Sequence, residues 1–104
     1  MGIHIHAYTV FSKEEADKIN QIIKLEFPNY FNYDFIIYDA DDLSGYEKEI
    51  AVEDVGIPTS FKADFLISLN NKSSTFNISE VALIIKERFG SGNIILMQNG
   101  EVRI

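Results

Sequence analysis

The stretch IHIHAYTVFSKEEADKINQIIKLEFP, residues 3–28, contains the two patterns that decide the fold. Apolar and more polar residues alternate over residues 3–11, which predicts a β-strand with one buried face. Ser12 and Glu15 have the spacing of a capping box, and the proline that closes the stretch cannot continue a helix. We therefore predict that this strand leads directly into a helix over residues 13–27.

The remaining elements follow from the same kinds of pattern. Further strand patterns occur at residues 33–38, 62–69, 93–97 and 102–104. Asn77 with Glu80 predicts the start of a second helix, which ends at Gly90. Asn99-Gly100 is a typical hairpin turn, so the last short strand is expected to pair with the strand before it.

The order of these elements allows two architectures. In a fully parallel sheet the strands would be buried on both faces and would read as continuous apolar runs. The first and third strands alternate instead. We therefore predict one α+β domain over residues 1–104 with a two-layer ferredoxin-like fold, βαββαβ plus a short C-terminal strand. The alternative is a small three-layer α/β sheet.

An insert between the second and third strands carries most of the net charge. Residues 39–54, DADDLSGYEKEIAVED, contain seven acids against one lysine and so contribute −6 to the net charge of −7. Within the insert Ser44 and Glu47 have the spacing of a second capping box, and Gly56 is placed as a glycine that ends a helix. The insert is therefore expected to form either a helix over residues 45–55 or a loop with a short strand.

This concentration of carboxylates favours a basic protein surface as the partner and disfavours direct contact with nucleic acid, because phosphates carry the same charge. The predicted binding residues are Asp39, Asp41, Asp42, Tyr46, Glu47, Glu49, Glu53 and Asp54. A small acidic inhibitor fits these features. It could be an immunity protein against a nucleic-acid-acting toxin or a phage-type inhibitor that mimics nucleic acid.

Several chemistries have no support in the sequence. The chain has no cysteine, which excludes disulfides, thiolate metal sites and cysteine nucleophiles. It also lacks a glycine-rich phosphate loop, a signal-peptide pattern and any apolar run near the roughly 18 residues of a membrane span. We expect a cytoplasmic, non-enzymatic protein without a cofactor or membrane contact, present as a monomer or a homodimer.

Two histidines of the first strand provide the alternative hypothesis. His4 and His6 share a strand face, which is a geometry that a metal pair requires. A third ligand is lacking, because Asp39 is expected at the far end of a parallel strand and Asp64 opposite Tyr8. We therefore predict no metal site. The alternative function is a dimeric α+β barrel that binds or converts a small molecule in a pocket lined by His4, His6, Tyr8 and Asp64.

Overall fold

The computed structural model describes residues 4–31, 34–70 and 78–104. Within these ranges the strands are β1 (His4–Thr9), β2 (Phe35–Ile37), β3 (Asp41–Asp42), β4 (Ala63–Leu69), β5 (Ile94–Gln98) and β6 (Val102–Arg103). The helices are α1 (Lys13–Glu26), α2 (Pro28–Phe31), α3 (Gly45–Ile50) and α4 (Ile78–Phe89). A π-helical segment, Ala51–Val55, continues α3 without a break.

The strands form one sheet in the order β2-β4-β1-β5-β6, and β3 pairs with β4 beyond the end of β2. Every pairing between described strands is antiparallel, with β1 between β4 and β5. The predicted α+β class is therefore confirmed, and the parallel sheet of the alternative does not occur in these ranges. The finer ferredoxin-like description stays a prediction.

Helix α1 begins as its capping residues predict. The Ser12 Oγ accepts a hydrogen bond from the Glu15 backbone N–H at 3.2 Å, and the Ser12 N–H donates to Glu15 Oε1 at 3.4 Å. These two bonds satisfy backbone donors that the first helical turn leaves without partners. The predicted cap of α4, Asn77, lies outside the described residues.

The first face of the sheet is covered by α1 and α4. Because side chains alternate along a strand, Ile5 and Ala7 of β1 lie on this face. They pack against Ile23 of α1 and Ile85 of α4, and all four side chains are fully buried. This is the larger hydrophobic core of the protein.

The other face, which we call the open face, carries His6, Tyr8 and Asp64 and is only partly covered by the insert. A second buried cluster there joins Tyr8 of β1 and Met97 of β5 to Leu43, Ala51, Ile57 and Phe61. The insert therefore folds back onto one part of the open face and leaves the rest exposed to solvent.

Residues 45–55 of the insert region form a helix, not a loop with a short strand, and the strand of the insert, β3, comes before this helix. Gly56 ends it with a positive φ of 83°, as predicted, and its N–H donates to the Ala51 carbonyl. The second predicted capping box is wrong, because Ser44 has the backbone conformation of an N-cap but makes no side-chain bond there. Tertiary contacts hold this end of the insert, since the neighbouring Leu43 is buried and its N–H donates to the Lys62 carbonyl at 2.9 Å.

Candidate functional site

A cleft of about 520 Å³ lies between the open face of the sheet and the insert. His6, Tyr8, Asp64 and Leu66 of β1 and β4 contribute to its floor. The insert and the residues on either side of it contribute to its walls: Tyr38, Asp39, Asp41, Glu47, Ile50 and Val55. We call this feature the acidic cleft, because among the described residues that line it four are carboxylic acids and none is lysine or arginine.

A chain of side-chain contacts crosses the floor of the acidic cleft. His6 Nε2 lies 2.8 Å from Asp64 Oδ2, and His6 Nδ1 lies 3.2 Å from the Tyr8 hydroxyl. The His6 and Tyr8 rings are also stacked, with centroids 4.3 Å apart. In neutral His6 the Nε2–H donates to Asp64, so Nδ1 accepts from the Tyr8 O–H. This network holds the Asp64 carboxylate in a fixed position.

The environment of the network is apolar and negative. Burial raises the pKa of Tyr8 above its ordinary value, and the charge of Asp64 raises this pKa further. The phenol is therefore neutral at ordinary pH and remains available as a hydrogen-bond donor to His6. Tyr8 thus contributes a neutral hydroxyl group, and not a negative charge, to the floor of the cleft.

Two carboxylates face each other at the edge of the cleft. In the antiparallel ladder between β3 and β4, Asp41 lies directly opposite Asp64. Like charges in such a pair destabilise a sheet by about 0.2–1 kcal/mol. Neither aspartate has a lysine or arginine partner among the residues that the structure describes. Apart from His6 beside Asp64, the described residues therefore place no cationic group against this pair of carboxylates.

The predicted binding residues divide into two groups. Asp39, Asp41 and Glu47 line the acidic cleft. The others are exposed outside it: Asp42, Tyr46, Glu49, Glu53 and Asp54. Of these, Glu49 and Glu53 border a shallower depression on the outer side of the helix. One continuous acidic stretch thus presents carboxylates on two sides of the insert.

Two contacts hold the insert at its ends. The Asp17 Oδ1 of α1 accepts a hydrogen bond from the Ala40 N–H at 2.8 Å, which fixes the chain between the cleft residues Asp39 and Asp41. At the other end Arg103 of β6 donates to the Val55 carbonyl at 3.0 Å. The position of the cleft wall thus depends on residues far away in the sequence.

Three apolar side chains at the cleft were not predicted as site residues. Tyr38 is 48%, Leu66 40% and Ile50 39% exposed, although all three are large. Leu66 had a recognisable signal, because it is a leucine on the otherwise polar face of an alternating strand. Exposed apolar groups next to unpaired charges are typical of surfaces that bind another protein.

Comparison with known proteins identifies the group to which this chain is related. Residues 1–102 match the protein family described as CDI System Immunity Component. The chain belongs to this family. The immunity component is 31% identical over 103 residues to Immunity protein CdiI-2 of Burkholderia pseudomallei strain 1026b, a match that covers 99% of each chain.

A solved structure supports the same assignment. The immunity component superimposes with a TM-score of 0.85 and 30% identity on a chain of a CdiA-CT/CdiI toxin and immunity complex from Burkholderia pseudomallei. The match covers 97% of this chain and 95% of the other chain. The predicted immunity-type function is therefore confirmed: this protein is an inhibitor that binds another protein. Its predicted contact residues, and the basic character of the partner, stay predictions.

The remaining predicted site residue of this immunity component, His4, does not line the cleft. Its backbone N–H instead donates to the Asn99 side chain at 3.0 Å. Within the described ranges no three histidine, aspartate or glutamate side chains are grouped so that they could hold a metal ion. In the same part of the chain, no helix has the length and apolar character that crossing a membrane requires.

Proposed function

We propose that this immunity component neutralises a CdiA-CT toxin by covering a basic surface of the toxin with the carboxylates of residues 39–54. The observation that carries the proposal is that the described part of the chain gives these carboxylates no ion-pair partner. None of the seven acids of the insert forms an ion pair with another residue that the structure describes. A surface of this kind is stabilised by a partner of opposite charge.

The similar solved structure gives the proposal its partner class. That structure is a complex of a CdiA-CT toxin with a CdiI immunity protein. We propose that the toxin of the present chain is an enzyme that acts on nucleic acid, since an enzyme of that class needs a basic surface for the phosphate backbone. An acidic inhibitor that occupied this surface would exclude the substrate. The cytoplasmic location stays a prediction.

The test uses the purified CdiA-CT domain from the same host as this chain. We expect a 1:1 complex in isothermal titration calorimetry, and we expect the immunity component to suppress the activity of the toxin on RNA or DNA. Association should slow steeply as salt is raised from 50 to 500 mM, because exposed charges are screened (the Debye length is about 10 Å at 0.1 M salt). The control is the CdiA-CT domain of the Burkholderia pseudomallei complex, whose immunity protein is only 30% identical to this chain, and we expect weaker binding to it.

Two results would contradict the proposal. The first is the absence of a complex with the CdiA-CT domain of the same host. The second is a complex whose association rate does not change with salt, since contacts through exposed carboxylates must weaken when charge is screened.

A further inference from the structure

The shape of the acidic cleft suits a protruding side chain of a partner. Its volume of about 520 Å³ falls within the range of about 300–1,000 Å³ that is typical of binding pockets. Tyr38, Ile50 and Leu66 supply exposed apolar surface. Of the four carboxylic acids, Asp64 on the sheet is partly buried and the other three are exposed. An aliphatic stem could therefore pack against the walls while its polar end reached the floor.

The charges of the cleft indicate that the polar end of the bound side chain is a cation. Asp41 and Asp64 lie opposite each other in the sheet, and Asp39 and Glu47 line the same space. His6 is the only basic residue in the part of the lining that the structure describes, and its Nε2 is already bonded to Asp64. A cation from outside would relieve the repulsion between the carboxylates, whereas an anion or a neutral group would not.

We infer that the acidic cleft receives one arginine side chain of the toxin, whose guanidinium pairs with Asp41 and Asp64. The inference rests on the proposed function. Arginine fits better than lysine for two reasons. Its planar fork of N–H donors can serve two carboxylates at once, and its flat face can stack on an exposed aromatic ring such as that of Tyr38.

A second copy of this chain is a poorer occupant. A symmetric dimer through the open face would place the same patch of both copies in contact. The four cleft carboxylates of one copy would then face those of the other, on chains that each carry a net charge of −7. Such a contact would add repulsion where the single chain already has an excess of negative charge.

The test compares acidic residues of the cleft with acidic residues outside the insert. Asp41→Asn and Asp64→Asn remove one charge each and keep the side-chain shape, and an asparagine oxygen at position 64 can still accept from His6. The matched controls are Glu14→Gln and Glu87→Gln, which remove the same charge from exposed positions of α1 and α4. We expect the two cleft variants to bind the CdiA-CT domain of the same host at least about 30-fold more weakly, and the controls less than about threefold.

A second measurement finds the arginine on the toxin. Each arginine of the CdiA-CT domain is replaced in turn by alanine and by lysine, and the affinity for the wild-type immunity component is measured. We expect one Arg→Ala variant to lose as much affinity as Asp64→Asn. Combining those two changes should lose little more than either one alone, because they remove the same contact. Lysine at that position should restore only part of the affinity.

The outcomes separate the inference from the proposed function. If the wild-type chain binds no CdiA-CT domain, both are wrong. If it binds but the cleft and control variants weaken binding equally, the cleft inference alone is wrong. Full affinity with lysine in place of every arginine also overturns it. The inference is also wrong if the isolated chain is a dimer and the Leu66→Lys variant is a monomer. The cleft would then be an interface between two copies of the chain. Melting temperatures within a few degrees of wild type show that each variant is folded.

Discussion

The two faces of the sheet differ in how far their side chains are buried and in the charges that they carry. On the face under α1 and α4 the strand side chains are apolar and buried, and Ile5, Ile23 and Ile85 have no exposed surface. On the open face Asp41 opposes Asp64, and Leu66 remains exposed beside them. The first arrangement lowers the free energy of the isolated chain, and the second does not. Most of the buried apolar residues lie on the helix-covered face, with a smaller buried cluster on the open face. We propose that partner binding uses the open face.

The largest expected effect is a loss of stability when a buried side chain of the helix-covered face is removed. Ile85→Ala and Ile23→Ala should each lower the free energy of unfolding by about 2–5 kcal/mol, because they leave a cavity in a packed core. Leu83→Ala on the same helix is the control, since Leu83 is exposed and its loss should cost little. Urea denaturation measures all three. Neutral isoleucine variants would show that the buried helix faces are wrongly assigned.

The next effect concerns binding without loss of stability. Replacing Asp41, Asp42, Glu47 and Glu49 together with Asn or Gln should weaken toxin binding by more than about 30-fold, or about 2 kcal/mol. The melting temperature should stay the same or rise slightly, because like charges are removed. A charge-matched control neutralises Glu14, Glu26, Glu87 and Glu101. Equal losses of affinity in both sets would mean that only the net charge matters.

A third prediction concerns the side-chain hydrogen bonds that cap the start of α1. Ser12→Ala should cost about 1 kcal/mol, because the Glu15 N–H loses its side-chain acceptor. Ser44→Ala at the corresponding position of α3 should cost less, since Ser44 makes no side-chain capping bond. Thermal or chemical unfolding gives both values. The reverse order would contradict the difference between the two helix starts.

A smaller effect of opposite sign sharpens the comparison of the two faces. Asp41→Asn should raise the free energy of unfolding by up to about 1 kcal/mol, because it removes the repulsion with Asp64. Asp42→Asn should change it less, since Asp42 lies opposite Ala63. Differential scanning calorimetry at low salt gives the largest contrast. A destabilised Asp41→Asn variant would mean that this aspartate supports the fold.

The smallest effect is a pH dependence at Tyr8. Its pKa is raised in the folded state, so this contribution to stability is complete below the unfolded value of about 10 and is lost as pH rises through the folded value. Tyr8→Phe should remove this part of the alkaline decline. The difference in stability between wild type and variant, measured from pH 8 to 11, should therefore shrink toward high pH. A constant difference would show that Tyr8 does not contribute.

The sequence by itself determined the elements whose signals are local. The Ser12 and Glu15 capping box fixed the start of α1, because its hydrogen bonds join residues three apart. Alternation over β1 and β4 predicted a sheet with two unlike faces, and the charge of residues 39–54 predicted an acidic surface. These features depend only on neighbours along the chain, so no knowledge of the fold was required to find them.

Local signals were insufficient where distant contacts decide. Asn20, a polar residue of α1, lies buried within the packed side of the helix, which periodicity alone did not indicate. Nothing in residues 51–55 predicted that the helix of the insert would end as a π-helix. The Ser44 capping box failed because buried contacts such as that of Leu43 already hold the start of α3.

Only the tertiary structure assembled the acidic cleft. His6 and Asp64 are 58 positions apart, and their contact depends on the register in which β1 pairs with β4. The division of the acidic stretch into a cleft side and an outer side depends on how the insert packs on Tyr8 and Met97. Strand register and the packing of an insert are set by which apolar surfaces the whole chain can bury together. The sequence could therefore name the acidic residues of the cleft and its His6 and Tyr8, but it could neither place them together nor identify the apolar residues beside them.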